Sequence, residues 1–97
     1  MLTRTSSGSM KVIEMRNLIR KDVPIYYRRF YSGSVVLELM NKIMVDIALS
    51  FQIEHKPTGQ VEILITSMEE VDYPLVPLKQ ELKRFIGNLD STGKLPE

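Results

Sequence analysis

Four of the chain's seven aromatic residues stand within one run of six, Tyr26-Tyr27-Arg28-Arg29-Phe30-Tyr31, around two guanidinium groups. That combination suits single-stranded nucleic acid: rings stack on bases, and each arginine meets a phosphate or stacks in turn. In an extended chain Tyr26, Arg28 and Phe30 share one face, and Tyr27, Arg29 and Tyr31 the other. If residues 11–19 pair with 23–31 through a turn at Arg20-Lys21-Asp22, Arg16, Arg20 and Lys21 join the same patch. The candidate contacts, for nucleic acid or for a protein partner, are therefore Arg16, Arg20, Lys21, Tyr27, Arg28, Arg29 and Tyr31. The run has neither an RNP-like octamer nor a Gly-x-x-Gly loop beside it. The competing use of these residues is structural, with one aromatic set in the core and the arginines solvated or paired with carboxylates elsewhere. If they are solvated, replacing Arg28 and Arg29 together by alanine should leave folding intact.

The carboxylates for such pairing lie in the other half. Residues 1–42 carry eight cations against Glu14, Asp22 and Glu38, whereas residues 43–97 carry five cations against nine carboxylates. The net charge of +1 thus conceals halves of opposite sign. A one-signed surface can select an anionic partner, with steep salt dependence if that partner is a phosphate chain. It can also set the positive half of one copy against the negative half of another.

Little else offers chemistry. His55 is the single histidine and there is no cysteine, which rules out disulfides and leaves no usual Cys/His zinc set. His55 lacks an evident nucleophile or orienting carboxylate and reads as a solvent-facing residue at a strand end. Glu69, Glu70 and Asp72 offer oxygen ligands without the spacing of a calcium loop, and read as a solvated loop before a helix. The five glycines are too scattered for a phosphate-binding loop, and no Gly-x-Ser-x-Gly occurs. The expectation is a chain that is not an enzyme, with no catalytic residues, no metal and no cofactor.

The elements that must position these residues follow from hydrophobic period. Val45, Ile47, Leu49, Phe51 and Ile53 alternate with polar or small residues, and Val61, Ile63 and Ile65 resume the alternation after Lys56-Pro57-Thr58-Gly59. Two runs of period two around a Pro-x-Gly turn predict a β-hairpin. Lys11–Ile19 and Pro24–Tyr31 lean towards strand, and Ser32-Gly33-Ser34 reads as a turn. Val35 to Met40 alternates like a strand, although residues 35–44 also fit a helical stripe. Leu75, Leu78, Leu82, Phe85, Ile86 and Leu89 form one stripe of a helix beginning near Val76 or Pro77 and closed by Asn88 and the 90–93 cluster.

The whole reads as an α+β fold, an antiparallel sheet of four or five strands with one C-terminal helix packed on one face. Residues 11–93 form a single small domain, 1–10 a disordered or appended tail, and 94–97 a frayed end. No apolar run approaches the length of a membrane span, and the first ten residues lack the apolar segment of a secretory signal. With no cysteine, that places the chain in the cytoplasm, with no membrane partner. One helix cannot cover two apolar faces, and the chain is rich in apolar residues over 23–53. The expected function is a non-enzymatic protein–protein interaction module, self-associating as a homodimer through a strand edge or the open sheet face. The alternative is a nucleic-acid-binding module using residues 26–31.

Overall fold

Alternation puts Ile47, Leu49, Phe51 and Ile53 on one face of a strand, each no more than 5% exposed, with Asp46, Ala48, Ser50 and Gln52 on the other. The computed structural model describes residues 10–25 and 27–96, apart from the side chain of Asn41. It contains β1 (Lys11–Lys21), β2 (Arg28–Glu38), β3 (Met44–His55), β4 (Val61–Met68) and α1 (Leu75–Ser91). The strands form one antiparallel meander in the order β1-β2-β3-β4. The fold is therefore the expected α+β sheet with a C-terminal helix, and it has four strands. No helix among the described residues is long and apolar enough to cross a membrane.

The predicted hairpin is β3–β4. Gly59 takes φ +91° and donates its N–H to the Lys56 carbonyl at 2.9 Å, while Lys56 N–H reaches Gln60 at 2.8 Å. Proline presets the preceding turn position and glycine alone takes the left-handed one cheaply. Register then stacks the core across strands: Val35 faces Ile47 and Tyr31 faces Phe51, which in turn faces Ile65. The Tyr31 and Phe51 rings stack with centroids 5.1 Å apart.

Two expected turns are absent, and both for one reason. Ser32-Gly33-Ser34 lies in the middle of β2, so the two predicted short strands merge into one. Arg20 and Lys21 are still within β1, and the chain turns only over residues 22–27. Gly33 serves close approach rather than a turn: a Cβ there would stand 2.9 Å from the Arg16 carbonyl oxygen and 2.9 Å from Leu18 Cδ2. Opposite it β1 breaks register between Arg16 and Ile19, with Asn17 at φ +55°. The bulge throws the β1 backbone towards β2, and only glycine leaves room for it.

The helix packs on the core face, and β1 and β4 come closer to its backbone than the central strands do, so the sheet curls around it. Leu78, Leu82 and Ile86 are fully buried. Pro77 falls in the first turn, where its missing N–H has no intrahelical acceptor to lose. At the other end Gly93 (φ +70°) and Lys94 donate back to the Asp90 and Leu89 carbonyls, a Schellman closure. That closure reverses the chain and returns Leu95, 9% exposed, to the core. The segment expected to fray thus contributes a core side chain, and so does Met10, 6% exposed, at the other boundary.

Leu82→Ala should lower unfolding free energy by about 2–5 kcal/mol in urea titration. A cost near zero would mean that α1 does not pack as described. Gly33→Ala should destabilise by about 1–3 kcal/mol although alanine is ordinarily tolerated in strands, because the bulge and Leu18 must give way.

Candidate interaction site

The alternation expected of the aromatic-basic run is present from Arg28 onwards, while Tyr26 lies outside the described residues. Arg28 and Phe30 point to the open face of the sheet. Arg29 and Tyr31 point to the core face, since Arg29 pairs in register with buried Ile53 and Tyr31 with buried Phe51. The run is thereby divided between two surfaces and cannot act as one stacking platform.

Each arginine is also tied to a carboxylate. Arg29 Nη2 donates to Asp90 Oδ1 on α1 at 2.9 Å and lies 2.9 Å from His55 Nε2, while Nη1 donates to the Tyr31 hydroxyl at 3.0 Å. Burial alone would lower the Arg29 pKa, but the Asp90 hydrogen bond, with the charges and hydroxyl around it, outweighs this and raises it above its ordinary value. Tyr31 is 1% exposed and offers nothing to an external ligand. Arg28 lies 3.9 Å from Glu54 and its guanidinium carbon stands 5.6 Å from the centre of the Tyr27 ring. Its Nε is buried without a partner among the described residues.

Arg16 does not join them. It pairs in register with Ser34, six residues along β2 from Arg28, a separation of about 20 Å at strand rise. There it bridges Glu14 of its own strand, at 2.8 Å, and Asp46 of β3, at 3.9 Å. Glu14 and Asp46 both face Val36 in register. The three charged side chains thus surround Val36, which is 6% exposed on the otherwise open face.

What remains free is a smaller group at the β1–β2 end. Arg20 and Lys21 are exposed and make no ion pair among the described residues, and Tyr27 is 50% exposed. Lys21 shares a register row with Phe30 and Gln52. The rest of the open face is polar and small, with Ser32, Ser34, Ala48 and Ser50 at its centre. Elsewhere, Glu69 of the acidic loop accepts the Ala48 backbone N–H at 2.6 Å and so finishes the ladder beyond β4. Lys56 is held to Glu62 at 3.0 Å, and that hydrogen bond raises its pKa.

A feature with no obvious sequence signal is the pair of contrasting sheet edges. β1 carries Lys11, Glu14, Arg16, Arg20 and Lys21 and two register breaks. β4, with sequence VEILITSM, carries one ionisable residue and one register break. Neither outer side receives a hydrogen bond from another described backbone segment. Charge and bulges are the usual guards of a sheet edge, and β4 has few of them. The signal in the sequence was the low charge of 61–68, visible only once β4 was known to be the last strand.

Asp90→Asn and Arg29→Ala, alone and combined, should show a coupling of about 1 kcal/mol in a double-mutant cycle, weakened by salt. A coupling near zero would make the pair incidental. Replacing Arg29 is therefore expected to cost stability, contrary to the solvated reading of both arginines.

Among known proteins, a model of the BB-0187 family matches residues 7–91, and the chain belongs to that family. Neither a curated protein nor a solved structure matches it.

Proposed function

We propose that this member of the family is a non-enzymatic protein-interaction module that self-associates as a homodimer through an uncovered edge of its sheet. The observation that carries the reading is that the meander ends in two edges to which no described backbone segment bonds. Exposed apolar side chains accompany them, with Val61 at 46%, Leu75 at 51% and Val76 at 68% exposure. The open face is a poorer route to association, because its centre is Ser32, Ser34, Ala48 and Ser50 and its one deeply buried apolar residue is already surrounded by charge. Sedimentation equilibrium over a wide concentration range should give a reversible monomer–dimer isotherm. A strict monomer at every concentration would rule the reading out.

A second reading has one observation in its favour, the unpaired Arg20 and Lys21 near exposed Tyr27. A labelled single-stranded oligonucleotide, followed by anisotropy at about 50 and 200 mM salt, separates the two. Self-association alone predicts no saturable signal. Saturable binding that collapses with salt and is lost in Arg20→Ala/Lys21→Ala would make nucleic acid the ligand.

A further inference from the structure

The reading above leaves open which edge is used and what lies against it. Resting on that reading, we infer that the interface is β4 and the partner strand is β4 of a second copy. The two would run antiparallel about a two-fold axis and continue the meander into one eight-stranded sheet.

An edge strand presents alternate N–H and C=O groups that only another extended backbone satisfies as a row. β1 is poorly made for this. Its break between Arg16 and Ile19, with Asn17 at positive φ, interrupts the row of donors and acceptors. Two copies of β1 would also bring Lys11, Arg16, Arg20 and Lys21 of each into one seam. Joining β1 of one copy to β4 of another would match charge better, but such a head-to-tail contact leaves an edge free at each end and propagates.

β4 against β4 has none of these obstacles. Its one ionisable residue, Glu62, lies off-centre. With the axis anywhere from Ile63 to Ile65, Glu62 faces a residue between Leu64 and Met68 of the second copy, none of them charged. The strand is regular from Val61 to Ile65, with its register break beyond that run. A two-fold axis perpendicular to the sheet sets both helices on the same side, each lying near its own β4. Exposed Val61 on the strand, and Leu75 and Val76 just beyond it, supply apolar surface on the β4 side of the domain. Closure is complete at two copies, because the remaining outer edges are the bulged and charged β1 strands.

The test uses Val61→Lys/Thr66→Lys, two exposed positions where added charge meets its own copy across the axis, beside Arg16→Glu/Arg20→Glu on β1 as a control. Mass is read by light scattering after size-exclusion chromatography. The expected result is a dimeric parent, a monomeric β4 variant and a dimeric β1 variant. A parent that is monomeric throughout overturns self-association itself. A parent and β4 variant that are both dimeric leave self-association standing and overturn β4 as its site. If the β4 variant loses its circular dichroism signal, hydrogen exchange on the unchanged chain decides instead. Amide protection in 61–68 should rise with concentration, and a rise confined to another segment overturns the inference.

Discussion

One helix covers one face of a four-stranded sheet, and most of the molecule answers to that arrangement. The 17-residue α1 spans about 25 Å, less than the longest strands, so the sheet must curl to bring both edges against it. The breaks in β1 and β4 supply that curl, since a bulge bends its strand and increases local twist. Gly33 then follows as the one β2 residue that admits the displaced β1 backbone. The same geometry accounts for the ends of the domain, where Met10 and Leu95 cover what the helix leaves bare.

Charge serves the same closure. The opposite signs of the two halves are largely cancelled inside the fold: Arg16 meets Asp46, Arg28 meets Glu54, and Arg29 meets Asp90. Each pair joins a cation of β1 or β2 to a carboxylate of β3 or α1. Pairs this exposed add little stability individually. Arg29–Asp90 is the best placed, with side chains 19% and 23% exposed and a further hydrogen bond to Tyr31. What looked in the sequence like a surface for an external anion is mostly internal cross-bracing.

The parts of the fold legible in the sequence were those fixed by local rules. Period two across 45–65 with a Pro-x-Gly turn, and the stripe from Leu75 to Leu89, gave β3, β4 and α1 to within a residue or two. The misreadings came from residues whose local preference and tertiary use differ. Ser32-Gly33-Ser34 has the composition of a turn, yet Gly33 is required by Arg16 and Leu18 of the preceding strand. Lys94 to Glu97 has no apolar period, yet one leucine beyond a glycine closure suffices to reach the core. The site was less legible still. Which face Arg28 and Arg29 take follows from alternation, but their pairing with Glu54 and Asp90 depends on register and on where the helix ends. Neither can be read from spacing along the chain.

The contrast between the edges links the two themes. A bulge that curves β1 around the helix also interrupts its outer row of hydrogen-bonding groups, so curvature and protection arise from one device at Asn17. The cations of β1 add to that protection, and only Arg16 among them is drawn into an ion pair with another strand. At the opposite edge the requirements separate. β4 must present Ile63 and Ile65 to the core, and its outward positions carry Glu62, Leu64 and Thr66, which guard the backbone weakly. A chain under pressure to remain monomeric could place lysine at Thr66 without disturbing the core, because that side chain is exposed. The absence of such a guard on a strand that is otherwise ready to pair is the physical basis for assigning that edge to association.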